Sequence, residues 1–571
     1  MSFSLYYIKN KNDKLFRDLE NSSLELYDIQ NYIPLYENFF SLNINNFNSI
    51  NLNSKYSIQS ILNVSNSNTI HSKIVDLSNN KKYINVFCKF APLLDPLKYL
   101  TGKYDISDNI ILPSLNETNC IPKLLDKNNN SYVDSFFSYL SSQLLHNYNF
   151  INSIDFYGSF ICKKKEFYYN IVDDVEYLNE SEYFHKQKNT LFKVDNDEFN
   201  SIFNIDSRTN KQKLLISEKI DNIELNNISE LDIPLFTHID NNVQLENIDL
   251  SNTCIYSTIL EKKEESDDST CSSKSSNTTL SNELSDIDID EESDDENNSF
   301  DDSSCDSLES NEVICKINNY PIQLICLEKC ENTLDYLMEN NLLNTDEWTS
   351  CLFQVILSLT VFQKSFMFTH NDLHTNNIMY IQTEKQFIYY KYNNIHYKIP
   401  TYGKIYKIID YGRAIYKYDG KTMCSDSFHP KGDAASQYNC EPYFDTKKPR
   451  LEPNFSFDLC RLACCIFDYF VDDISETQTL VKKNKLLELI YSWLKDDKGR
   501  NILYKNDGEE RYPEFKLYKM IARTVHNAIP EEQLKHDIFK KYIVNKKSIN
   551  SKFKSKIINL DLIPKMYNKR D

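Results

Sequence analysis

Residues 369–379 read Thr-His-Asn-Asp-Leu-His-Thr-Asn-Asn-Ile-Met, and residues 408–413 read Ile-Ile-Asp-Tyr-Gly-Arg. The first run sets Asp372 five residues before Asn377, and the second adds a further carboxylate, Asp410, just ahead of Gly412. Each run follows an apolar segment. Residues 346–368 carry apolar side chains at 352, 355, 356, 359 and 362, the helical period, leading into the first run. Ile405, Ile408 and Ile409 predict a buried strand that delivers Asp410. An isolated Asp-Tyr-Gly is ordinarily just a turn. The two runs in this order, each behind its apolar segment, are much harder to reach by chance.

Together they resemble the catalytic loop H-R-D-x-x-x-x-N and the metal motif D-F-G of the protein-kinase superfamily. The resemblance implies an α+β, bilobal fold with a small β-rich lobe carrying one helix and a large helical lobe, here with large insertions. It implies ATP and Mg2+ as cofactors. Phosphoryl transfer leaves little covalent chemistry to the protein, so oxygen ligands must converge to position acceptor, phosphates and metal. On the resemblance, Asp372 takes or orients the proton of the acceptor hydroxyl, while Asn377 and Asp410 hold magnesium, a cation that prefers hard oxygen ligands. His370 completes the loop. Asp458, in Phe-Asp-Leu-Cys-Arg-Leu at 457–462, matches the aspartate that braces the loop backbone, although a helix N-cap also explains it. Two departures matter. Asn371 replaces the family's arginine, which removes the pocket for an activation-loop phosphate. His374 stands where serine/threonine kinases generally carry a lysine on the transferred phosphate, a change shared with haspin-like kinases and with aminoglycoside and choline phosphotransferases.

Upstream, Tyr-Ile-Asn-Val-Phe-Cys-Lys-Phe at 83–90 resembles the V-A-I-K strand, which makes Lys89 the phosphate-pairing lysine. A hairpin over 61–70 precedes it, and Asn63, Val64, Ser65 and Asn66 are expected over the triphosphate. No glycine is available there, because the first of the chain's eight is Gly102. Asn63, Asn66 and Asn68 are the next-best residues for left-handed turns. Ser131–Asn147 predicts an amphipathic helix in which Asp134, rather than the family's glutamate, is the only carboxylate. Asp134 either reaches Lys89 or is merely solvated. Lys98 and Lys103, in an insertion over 95–130, are alternative phosphate contacts. Residues 321–327 form an apolar strand running into Glu328, Lys329 and Cys330, the expected adenine-binding hinge.

The chain's 571 residues carry a formal charge of −19, of which residues 261–312 hold 19 acidic against 3 basic side chains. That Ser-rich stretch cannot bury enough apolar surface to order itself and is expected to be a disordered linker. Ser266, Ser285, Ser293 and Ser307 would suit an acidophilic kinase, and a solvated spacer is the plainer reading. The acidic balance, with no basic stripe, disfavours nucleic acid. No apolar run approaches the roughly 18 residues of a membrane span. The 15 cysteines lack paired C-x-x-C spacing, which fits a reducing compartment and free thiols. The expected division is 1–54 as an N-terminal extension, 55–165 as the small lobe and 166–260 as an insertion. The linker 261–312 follows, then 313–530 as hinge and large lobe, and 531–571 as a C-terminal helical extension.

The Asn-rich chain with H-N-D-L-H-x-N-N-I-M also resembles serine/threonine-protein kinases of large nucleocytoplasmic DNA viruses, which implies an intracellular, soluble protein of host cytoplasm or virion. The expected partners are ATP and proteins with serine or threonine acceptors, with neither nucleic acid nor membrane. A pseudokinase scaffold, suggested by the missing glycine loop, and a small-molecule phosphotransferase, suggested by His374, are the alternatives.

Overall fold

The computed structural model describes residues 4–106, 110–117, 119–194, 313–513, 515–549, 554 and 556–565. Residues 195–260 of the expected insertion, and the acidic stretch 261–312 with its four serines, lie outside the described residues. The fold is α+β.

Runs of β-branched, aromatic and cysteine side chains build an antiparallel sheet from β1 (Leu26–Gln30), β2 (Tyr56–Asn66), β3 (Thr69–Asp76), β4 (Lys81–Pro92), β5 (Phe156–Asn170), β6 (Phe192–Val194) and β7 (Ile314–Glu328). The order is β1-β5-β7-β4-β3-β2, and β6 joins β7 with Phe192 opposite Ile317. The central strand shows its environment in its sequence. Ile-Cys-Lys-Ile at 314–317 alternates between half-buried and buried residues, whereas 320–327 is buried throughout. Both faces of that second half are covered, which calls for a continuous apolar run rather than alternation.

One cover is α1 (Asn130–Tyr148). The expectation of an amphipathic helix is corrected here, because every residue from Ser131 to Leu144 is buried. Phe137, on the expected apolar side, packs on Phe362, Phe366, Phe368, Tyr411 and Tyr416 of a second layer. The polar side is covered too, with the Ser131 and Ser142 hydroxyls donating to the Pro92 carbonyl and to Asp155. Serines at 131, 135, 138, 141 and 142 keep the helix thin enough for close approach on both sides.

The second layer is helical. It comprises α2 (Leu334–Glu339), α3 (Thr345–Phe366), α4 (Phe457–Ile466) and α5 (Phe515–Thr524), with further helices such as Lys485–Trp493. Helix α3 starts at a full capping box, Asn344 with Glu347, and each of its expected apolar positions is buried. Two strands, β8 (Ile378–Gln382) and β9 (Lys404–Ile408), pair antiparallel beside it.

Three expected boundaries change. Residues 1–54 are no appendage, since β1 is an edge strand of the sheet and Leu15, Leu19, Leu24 and Leu35 are core residues. Strand β5 runs across the 165/166 division, so the insertion's described part continues the sheet. The C-terminal segment is not simply helical: Ile543–Val544 and Ile558–Asn559 pair with the hairpin Phe387–Tyr392 and Ile395–Pro400 that lies between β8 and β9. Among the described residues no helix is long and apolar enough to cross a membrane, and the described cysteines other than Cys315 and Cys465 are free thiols.

Candidate functional site

Strand pairing brings the two decisive runs together. Asn377 immediately precedes β8, Ile378 lies opposite Ile408, and the Ile409 amide donates to the Asn377 carbonyl at 3.0 Å. Asp410 therefore emerges beside the loop that carries Asp372. Asp410 and Asn371 both adopt left-handed backbone, with φ of 61° and 62°. Asp and Asn tolerate that region better than other side chains with a Cβ, and such conformations persist where surrounding bonds over-determine them.

Those bonds are present. The buried Asp458 carboxylate accepts the amides of His370 and Asn371, each at 2.9 Å, and caps nothing in its own helix. Of the two readings of Asp458, the structure takes the brace. Burial pushes its carboxyl up, against the pull of His370 and the two amides. His370 Nε2 donates to the Ile409 carbonyl at 2.9 Å, tying loop to strand. The Asn371 amide donates to the carbonyls of Thr369 and Arg413, and its oxygen accepts from the Tyr438 hydroxyl at 2.9 Å. A neutral side chain thus anchors the segment that follows Asp410. Arg413 pairs with Asp433, and Asp426 pairs with Lys123 while accepting the Asn130 amide at the start of α1.

Lys89, on β4 opposite Ile325 of β7, reaches two carboxylates: Asp134 at 2.7 Å and Asp410 at 2.8 Å. The structure thereby chooses the ion pair for Asp134, whose other oxygen accepts the Tyr411 amide at 2.9 Å. The shorter aspartate reaches because the Ser-rich helix sits close. Burial pulls the Lys89 pKa down, but the two carboxylates outweigh it and hold the ammonium above its ordinary value. Desolvation by the surrounding protein pushes Asp410 up even though its side chain is half exposed, and Lys89 more than reverses it; Asp134, fully buried, stays raised. Lys98 turns to Asp95 and the Lys431 carbonyl, and Lys103 is exposed, so neither takes the place of Lys89.

Asn377 donates to the Asp372 carbonyl at 2.9 Å and to His374 Nε2 at 3.0 Å, leaving its Oδ1 without a hydrogen bond among the described residues. Asp410, with its side chain 46% exposed, presents its carboxylate toward solvent. Both are hard oxygen donors that can hold a divalent cation. His374 differs from expectation. Burial lowers its pKa more than Asp372 raises it, and its Nε2 is committed to Asn377, so it orients that amide as a neutral ring instead of offering a fixed cation. Burial pushes Asp372 up too, yet its permanently charged neighbours, Arg413 ahead of Arg461, help to outweigh it and keep the carboxyl below its usual range.

The hairpin over 61–70 is present as the ends of β2 and β3, but Asn63, Asn66 and Asn68 all avoid left-handed backbone. The expected glycine substitute is corrected. Instead β2 carries extra residues at Gln59, Leu62 and Ser65 relative to β3, three bulges that twist the strand pair without any positive φ. Val64 and Ser65 lie in this bulged end. At the expected hinge, the Glu328 side chain pairs with Lys407 and its amide donates to Asp155, while Cys330 is buried. The Cys330 amide donates to nothing among the described residues.

Two participants, Tyr518 and Lys407, had no sequence signal, and Arg461 lies in the quoted run 457–462 with no role of its own assigned there. The Tyr518 hydroxyl lies 3.2 Å from Asp372 Oδ1 and 2.9 Å from Arg461 Nε. Its distance along the chain from the loop, and its place in an unremarkable helical pattern, hid it.

No protein-family profile matches the chain. It is similar to an uncharacterized protein of Invertebrate iridescent virus 6, with 32% identity over 123 residues, which is 20% of this chain and 19% of that protein. The chain thus spans about a fifth of the length of the curated relative it matches.

Proposed function

We propose that this chain is an ATP-dependent protein kinase that transfers the γ-phosphate of Mg-ATP to serine or threonine hydroxyls, with the sheet and α1 as the small lobe and the helical layer as the large lobe. The observation that carries the reading is the meeting of Lys89, Asp134 and Asp410 beside a loop presenting Asp372 and an uncommitted Asn377 Oδ1. A lysine fixed between two carboxylates stays charged, as a phosphate contact must. Asn377 and Asp410 fit magnesium, which takes few protein oxygens and completes its shell with water and phosphate. Bound Mg-ATP supplies the transferable phosphoryl group and neutralises its charge. Asp372, held ionised, accepts the hydrogen of the attacking hydroxyl and so orients it. The unused Cys330 amide is a donor available to an adenine edge. The similarity to a viral protein agrees with a viral origin for the chain.

A catalytically silent nucleotide-binding scaffold is the second reading, favoured by the glycine-free hairpin. Incubation with γ-labelled ATP and magnesium separates the readings. Label on serine or threonine of a mixed protein pool is the expected result. Label on aminoglycoside or choline alone would move the acceptor to small molecules, and bound ATP without transfer to any acceptor would favour the scaffold.

A further inference from the structure

Asp372 has two carboxylate oxygens, and a base that orients an acceptor needs one of them held while the other stays open. Oδ1 accepts from the Tyr518 hydroxyl at 3.2 Å, and no other side chain among the described residues hydrogen-bonds this carboxylate. Tyr518 is itself firmly placed. Its hydroxyl oxygen accepts from Arg461 Nε at 2.9 Å, and the guanidinium lies 5.2 Å from its ring centroid. Phe515 stacks on the same ring at 5.4 Å with an interplanar angle of 15°, and Phe457 closes a further side at 5.9 Å.

Arg461 explains the direction of the bond. It is buried on α4 and makes no salt bridge among the described residues, an expensive state for a guanidinium unless its field is used. With Arg461 donating into the phenol oxygen, the phenol's own hydrogen is left for Asp372, and the chain of bonds polarises toward the carboxylate. Burial pushes the Tyr518 phenol up to about 12, so it remains a donor. The arrangement also makes up for His374, whose Nε2 is turned to the Asn377 amide and not to Asp372.

We propose that Tyr518, anchored by Arg461, is a positioning residue that fixes Asp372 Oδ1 and thereby aims Oδ2 at the acceptor hydroxyl. This rests on the protein-kinase reading above. Tyr518 neither accepts the proton nor touches phosphate; it acts through Asp372.

The full chain tests this with Tyr518→Phe, which removes one oxygen and keeps the ring against Phe515 and Arg461. Hydrogen bonds to charged groups are the strong ones, so kcat is expected to fall about tenfold or more, with KM for ATP and for the protein acceptor unchanged, although the loss of the acceptor of buried Arg461 Nε lowers the melting temperature somewhat. Arg461→Lys keeps the charge but loses the Nε bond, and should reproduce part of the loss. Because both act through one contact, the double variant should be no worse than Tyr518→Phe alone. An unchanged kcat in Tyr518→Phe would reduce the contact to packing. A kcat above wild type would make Tyr518 a block on the acceptor site. Multiplying losses in the double variant would sink the relay through Arg461. Asp372→Asn keeps the two failures apart: if it abolishes transfer while Tyr518→Phe is normal, only this proposal falls. If the wild-type chain binds ATP and transfers nothing, the kinase reading falls and takes the proposal with it.

Discussion

At the tip of the β2–β3 hairpin the bonds are local: Asn66 Oδ1 accepts the Asn68 amide at 3.1 Å, and the Asn68 carbonyl accepts the Cys88 amide from the adjoining strand at 2.7 Å. The 370–377 loop is held quite differently. His370, Asn371 and Asp372 are bonded to Asp458, Ile409, Arg413, Tyr438 and Tyr518, residues far away in the chain. The hairpin has no glycine and relies on bulges for its twist, while the loop and the segment after β9 each use one left-handed residue, Asn371 and Asp410, and the buried Asp458 carboxylate to hold a few oxygens in place. The contrast suggests where precision is needed in the proposed phosphotransfer. A cover over phosphates has only to reach them, whereas a base and metal ligands must be fixed relative to one another.

Substitutions can break or sharpen that contrast. The largest effect is expected on the rigid side. Asp410→Ala removes a proposed metal ligand and one of the two anions on Lys89, and should lower transfer by about 10³-fold. Calorimetric titration of ATP with and without magnesium should show magnesium-dependent affinity lost; normal magnesium dependence would overturn the assignment. Lys89→Met should cost about 10²-fold in kcat, and a wild-type rate would remove Lys89 from the site. Asp134→Asn should cost less, about tenfold, because Asp410 still holds the ammonium; a loss as deep as that of Lys89→Met would show that Asp410 alone cannot place it. Asp458→Ala leaves two amides without their acceptor in a buried setting, so denaturant unfolding should show a loss of about 2–4 kcal/mol. An unaltered midpoint would deny that the loop is braced there. The smallest effect belongs to the hairpin. Ser65→Gly or Asn66→Gly should change ATP affinity by less than about threefold, since neither position uses left-handed backbone in which glycine has its advantage. A tenfold gain would mean that the hairpin, too, is conformationally limiting.

What the sequence reveals follows the same contrast. The loop 370–377, helix α3 and strand β9 are legible because their residues lie close together in the chain and carry strong periodicity. Lys89 is legible from its strand, and its partner Asp134 could be named as the only carboxylate of its helix. The burial of α1 on all sides was hidden, because serines at 135, 138, 141 and 142 read as a polar face when their function is to thin the helix between two layers. The neutrality of His374 depends on burial and on one bond to Asn377, neither of which is a sequence property. Tyr518 is invisible for the plainest reason: it meets Asp372, and links Arg461 to it, only after the chain has folded. Residues 1–54 looked detachable because β1 is short, yet it completes an edge of the sheet.

The central claim is that Asp372 orients an acceptor for phosphoryl transfer, and its most direct test is the rate of label transfer from γ-labelled ATP by the wild-type chain and by Asp372→Asn, with ATP binding measured alongside. The account predicts labelled serine or threonine for the wild type, a loss of about 10³-fold in the variant, and the same ATP affinity in both. Equal transfer by the two proteins would contradict it.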